Sequence, residues 1–182
     1  MFGRRDLLKF GLAGGAAVMA GLPVHAMAQS MDPRRVAVHN LHTGEALNAV
    51  YWENGKYVPD AVDALNKVLR DFRTGDVHMI DPGLYDILDA VSAKVENRQP
   101  FQIISGYRSP KTNAMLKEKG GGGVATHSLH MDGKAMDIRL NGVALSNVHK
   151  AALSLKRGGV GFYPTSNFVH VDVGRVRTWN GV

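Results

Sequence analysis

Val160-Gly-Phe-Tyr163, Pro164-Thr-Ser-Asn167 and Phe168-Val-His-Val-Asp-Val173 read as two apolar strands joined by a turn. The flanks are rich in Val, Phe and Tyr, which suit a pleated, half-buried surface, and the joining residues favour turns. A similar reading applies near the start, where Arg35-Val-Ala-Val-His-Asn-Leu41 leads through His42-Thr-Gly-Glu45 into a strand from Ala46 to Trp52. The Asn54-Gly55 pair that follows is a hairpin signal.

Helical spacing fills much of the chain between these hairpins. Pro59-Asp60 opens a helix carrying Val62, Leu65, Val68, Leu69 and Phe72, with Gly75 past its end. A second helix is predicted from Pro82 to about Asn97, burying Leu84, Ile87, Leu88, Val91 and Val95. Phe101 to Ile104 reads as a buried strand ending at Gly106. Ser109 then caps a third helix from Pro110 to about Lys119. Lys134 to Leu140 is a further strand, and Ser146 caps a helix through Leu155 that stops at Gly158-Gly159. Helices come mostly ahead of the late paired strands, an order that predicts an α+β domain with a small, mainly antiparallel sheet and about four helices.

The chain has 182 residues, 22 Lys+Arg, 16 Asp+Glu, no Cys and a formal net charge of +6. That length fits one domain with an appendage. The absence of Cys excludes disulfides, thiolate metal sites and a Cys nucleophile. The charge is mild and no dense basic stripe appears, so nucleic acid is a poor partner and an anionic cell-envelope polymer a more natural one.

The appendage is N-terminal. Arg4-Arg5 precedes x-Leu-Leu-Lys9 and an apolar, Gly/Ala-rich stretch from Phe10 to Pro23, and Ala26-Met27-Ala28 matches a small-x-small cleavage pattern. Residues 1–28 therefore read as a twin-arginine-type signal peptide and 29–182 as a single exported domain. Nothing later in the sequence resembles a transmembrane helix, and the expected location is the periplasm.

Chemistry concentrates in Ser128-Leu-His130-Met-Asp-Gly133-Lys-Ala135-Met-Asp137, followed by Val169-His170-Val-Asp172. Two imidazoles and a carboxylate suit a catalytic zinc, which takes three protein ligands and keeps a fourth position open. Asp137 sits among apolar strand residues, and an unpaired carboxylate there would cost several kcal/mol. His170 and Asp172 share a strand face, so Asp172 is either a base or the acceptor that holds His170. By spacing alone, satisfied structural histidines are an equal reading.

These blocks, together with Ile104-Ser-Gly-Tyr-Arg108-Ser-Pro and Arg177-Thr-Trp179, resemble the M15 family of zinc peptidases. Within it they are most similar to the exported branch that includes a murein endopeptidase of Gram-negative bacteria. The resemblance runs from about Val36 to Trp179. It implies a D-Ala-D-Ala peptidase/hedgehog-like α+β fold with a zinc site on the sheet and one Zn2+ per chain, bound by His130, Asp137 and His170. It also implies that Arg108 holds or polarises the substrate carbonyl and that Ser128 opens the zinc motif. Many members carry a catalytic Glu three residues before the last zinc ligand, where this chain has Asn167. Asp172 is then the first candidate for the base and His127 the second, with His127 otherwise a wall of the substrate pocket.

The implied activity is metal-assisted hydrolysis of peptidoglycan cross-links. A D,D-carboxypeptidase and a non-catalytic zinc-stabilised wall-binding module fit the same residues, the latter because of Asn167. Gly120 to Gly123 lack the Lys-Ser/Thr of a phosphate loop and read as a loop beside the cleft. His39, His42, His78 and His149 read as surface residues, and Trp179, Tyr107 and Tyr163 as core, rim or groove aromatics.

Overall fold

The computed structural model describes residues 32–119 and 125–181. The leader over 1–28 and the Gly120–Gly123 loop lie outside the described residues. Among the described residues one sheet of eight strands runs in the order β3-β2-β1-β4-β5-β7-β6-β8. The strands are β1 Arg34–Asn40, β2 Ala46–Glu53, β3 Lys56–Tyr57, β4 Phe101–Ser105, β5 Ala135–Leu140, β6 Gly159–Tyr163, β7 Phe168–Asp172 and β8 Arg177–Asn180. Only β1/β4 and β6/β8 are parallel. The α+β class and the mainly antiparallel sheet agree with the sequence reading. The sheet is larger by β3 and β8, which are two and four residues long and too short to show a period.

Four α-helices accompany it: α1 Pro59–Val68, α2 Gly83–Lys94, α3 Pro110–Glu118 and α4 Leu145–Leu155. Strand alternation sends Met136, Ile138 and Leu140 of β5 and Val169 and Val171 of β7 into the core formed with α2 and α4. Leu84, Leu88 and Val91 of α2 and Val148 of α4 are wholly buried against them. Asp137, His170 and Asp172 consequently lie on the other face of the same strands.

Two helix boundaries depart from the periodicity. α1 ends at Val68 and not near Phe72. The Val68 carbonyl accepts from Asn40 Nδ2 at 2.8 Å and the Leu69 carbonyl from the Tyr107 amide at 2.8 Å, so tertiary partners take the groups a longer helix would use. Phe72 instead stacks on His42, centroids 3.7 Å apart. α4 starts at Leu145 with Ala144 in the capping position, whose carbonyl receives the amides of Asn147 and Val148; Ser146 is not the cap. Ser109 does cap α3, accepting from the Thr112 amide.

Candidate metal centre

β5 and β7 pair antiparallel with Asp137 directly opposite His170, and β4 brings Ser105 opposite Asp137. Between Ile103 and Ser105 the β4–β5 register shifts at a bulge, which re-aims the chain as it leaves the strand. That exit, Gly106-Tyr107-Arg108, interlocks with the segment bearing His130. The Arg108 amide donates to the His130 carbonyl at 3.1 Å, and the Gly106 carbonyl accepts from His130 Nδ1 at 2.8 Å.

His130 lies in a 3-10 turn, Leu129–Asp132, that Ser128 caps by accepting from the His130 amide. Gly133 ends the turn in the left-handed region at φ 66, where its missing Cβ also admits the Met79 carbonyl. The turn delivers the imidazole to Asp137, its side chain 3% exposed.

Three atoms converge. His130 Nε2 and His170 Nδ1 lie 3.3 Å apart, and Asp137 Oδ1 is 3.3 Å from the first and 2.9 Å from the second. A tetrahedral zinc with bonds of about 2.0–2.1 Å separates its ligand atoms by roughly 3.4 Å, close to this triangle. The outer partners fix the chemistry. A carbonyl only accepts, so His130 keeps its proton on Nδ1 and turns a lone pair inward. His170 stands between two carboxylates, Nδ1 2.9 Å from Asp137 Oδ1 and Nε2 3.1 Å from Asp172 Oδ2. With its one proton on Nε2, two ring lone pairs and a carboxylate oxygen face one another, an arrangement that suits a cation. The group could therefore hold a metal ion, and among the described residues no fourth His, Asp or Glu joins it.

The electrostatics agree. Burial opposes a charge on Asp137, but His130 and His170 outweigh it and hold the carboxyl well below the usual carboxylate range. Burial also works against a charged His170, yet the hydrogen bonds it donates to Asp137 and Asp172 prevail and push its pKa up to about 9. A metal ion at the triangle would take the place of that proton.

Arg108 is 13% exposed with Nη2 3.7 Å from Asp137 Oδ2. Its Nε is buried without a partner, and burial lowers its pKa, partly offset by Asp137. A guanidinium remains charged under such a shift, so a donor and a positive charge stand beside the triangle. Asp172 meets His170 at the nitrogen opposite the cluster. Its Oδ1 accepts from the Gly159 and Gly174 amides and Arg177 Nη1, and its Oδ2 from Arg177 Nη2 and His170 Nε2. Burial alone would raise its pKa, and these donors hold it far below the ordinary value.

His127 is exposed and outside the triangle, as is Asn167. Asn167 adopts φ 55 in the turn between β6 and β7, its amide bonded to the Pro164 carbonyl. Of the other histidines, His149 is half-buried rather than superficial, stacked on Phe162 with Nε2 unpartnered. Sequence reasoning assigned no role to Gly106, whose carbonyl orients His130, or to Arg177. The signal for Arg177 was present in Arg177-Thr-Trp179, where a cation and an aromatic alternate on one strand face.

On this α+β frame two residues of the sheet, Asp137 and His170, and one of an adjoining 3-10 turn, His130, form a group that could hold a metal ion, with an arginine beside it. Residues 28–179 match the family model described as peptidoglycan L,D-endopeptidase MepK, a branch of the M15 peptidases, and the chain belongs to that family. It is 45% identical over 177 residues to the peptidoglycan L,D-endopeptidase MepK of Escherichia coli K12, covering 97% of this chain and 96% of that protein. The Shigella flexneri protein of the same name gives the same figures, and a probable MepK of Haemophilus influenzae is 41% identical over 180 residues, 98% and 96% of the two chains. No solved structure matches the chain.

Proposed function

We propose that this protein is an exported, zinc-dependent peptidoglycan endopeptidase that cuts L,D cross-links between stem peptides. The observation that carries the reading is the convergence of His130 Nε2, His170 Nδ1 and Asp137 Oδ1 to within 3.3 Å of one another, with Gly106 and Asp172 holding the outer ring nitrogens. The names of its relatives supply the substrate and the bond.

His130 Nε2, Asp137 Oδ1 and His170 Nδ1 would hold the ion. When bound, zinc supplies Lewis acidity, polarising an amide carbonyl and lowering the pKa of water. Arg108 adds a fixed positive charge beside the triangle for the carbonyl oxygen as it gains negative charge. Ser128 presents His130 by capping its turn, and the exposed His127, three residues before His130, is assigned as a substrate contact. Asp172 serves as the acceptor for His170 and not as the base, because five hydrogen bonds already occupy its two oxygens.

Three side-chain donors leave room for a reacting group, which favours the enzyme over a closed structural zinc site. Residues 1–28 act in this account as a twin-arginine leader to the periplasm, and 29–182 as the single catalytic domain. The start of the family match at residue 28 supports that boundary. Among the described residues no helix is long and apolar enough to cross a membrane.

Mass spectrometry of cross-linked muropeptides incubated with the mature chain tests the proposal, with chelated and zinc-restored controls. Chelator-sensitive conversion of L,D-linked dimers to monomers is expected. Loss of a terminal residue alone would instead make the protein a carboxypeptidase, and no cleavage with metal bound would make it a binding module.

A further inference from the structure

The strand between His170 and the sheet edge carries glycine at two of its three site-facing positions, Gly159 and Gly161, and Tyr163 at the third. Gly159 of β6 pairs with Arg177 of β8, and Gly161 lies between His170 of β7 and Trp179 of β8. Over these two glycines two long side chains reach inward from β8. A Cβ on Gly161 would stand 2.6 Å from the Trp179 indole, and one on Gly159 would collide with Arg177 Nη1 and Asp172 Oδ2. The glycines therefore keep open a trough that Arg177 and Trp179 fill.

Arg177 crosses the trough to grip Asp172 with both ends of its fork, Nη1 to Oδ1 at 3.0 Å and Nη2 to Oδ2 at 2.6 Å. Asp172 is fully buried and in turn accepts from His170 Nε2. Trp179 braces the arrangement from the side. Its ring centroid is 5.2 Å from that of His170 and 4.9 Å from the Arg177 guanidinium carbon, and its Nε1 donates to Tyr163 Oη at 2.8 Å.

We infer that Arg177 is a positioning residue for the metal centre. By locking the Asp172 carboxylate across the Gly159–Gly161 trough, it sets the tautomer and ring orientation of His170 and so the site's hold on its ion. Partners one step behind a metal ligand typically govern affinity by 10–100-fold. The inference rests on the metal-hydrolase reading, and metal binding tests it apart from activity.

The experiment is a zinc titration against a chromophoric chelator, with the visible spectrum of the cobalt-loaded protein and steady-state cleavage run alongside. Arg177→Lys keeps a cation against the buried carboxylate but loses the fork. Acting through Asp172, it is expected to bind zinc about 10-fold more weakly, the low end of that range, to shift the cobalt bands and to lower kcat with KM near the wild-type value. Gly159→Ala leaves Arg177 in place, and its methyl is accommodated only by moving the ends of Arg177 and Asp172; the same signature is expected, and it decides alone if Arg177→Lys does not fold. Thr178→Ala, exposed on the same strand, should match the wild type. Wild-type zinc affinity and cobalt spectra in both trough variants would overturn the inference. A wild-type chain that takes up no zinc would overturn the metal-hydrolase reading itself.

Discussion

Two buried aspartates near Arg108 behave in opposite ways. Asp71, 1% exposed, receives the Ser109 amide at 2.9 Å, the Ser109 hydroxyl at 2.7 Å and the Arg73 amide at 2.9 Å, with the Thr112 hydroxyl also bonded to it. Asp137, 5% exposed, faces His130 Nε2 at 3.3 Å and His170 Nδ1 at 2.9 Å, with the Arg108 guanidinium 3.7 Å away. The first carboxylate is saturated by neutral donors and braces the start of α3. The second shares its oxygen with two ring nitrogens that can give up their protons to a metal ion. Burial and a depressed pKa are common to both, so neither marks the site; the kind of partner does.

The contrast breaks most sharply at Asp137. Asp137→Asn should abolish zinc binding and lower muropeptide cleavage by at least about 10^3-fold, since residues acting as one unit fail together. Atomic absorption on the dialysed variant checks the metal. Arg108→Lys comes next, with an expected loss of about 10^2–10^3 in kcat and zinc retained, as for removal of a donor aimed at developing charge. Asp71→Ala should do the reverse. Leaving several donors unpaired costs about 3 kcal/mol in urea unfolding, while zinc affinity stays at the wild-type level.

The same aspartate sharpens the comparison through pH. Burial alone would raise the Asp71 pKa, but the hydrogen bonds of Thr112 and Ser109 outweigh it and hold it at about 2. A folded-state pKa below the unfolded value of about 3.9 adds roughly 2 kcal/mol of stability. That contribution is present above about pH 4 and lost as pH falls towards 2. Circular dichroism of acid unfolding should show this loss in the wild type and a flatter profile in Asp71→Asn. The smallest effect concerns Asn167. A Glu there must adopt φ near 55, so Asn167→Glu should cost about 1 kcal/mol and give no gain in activity.

The residues of the triad were legible as types at a spacing, because Asp137 and His170 interrupt apolar strands and must be compensated. Their partners were not legible. The Gly106 carbonyl lies 24 residues from His130, and the amides that hold Asp172 belong to Gly159 and Gly174, which carry no side-chain signal. Helix ends failed for a similar reason. The helical stripe of α1 continues to Phe72, but Asn40 and Tyr107, distant in sequence, claim its last carbonyls. Asn167 reads from sequence as a missing base, whereas its backbone explains it as a turn residue with positive φ.

The most direct test of the central claim is stepwise zinc reconstitution of the chelated protein while cleavage of an L,D-linked muropeptide dimer is followed. The account predicts activity that rises linearly and levels off at one zinc per chain, with no recovery in Asp137→Asn. Cleavage that persists in chelator, or that tracks zinc equally in the Asp137→Asn protein, would contradict it.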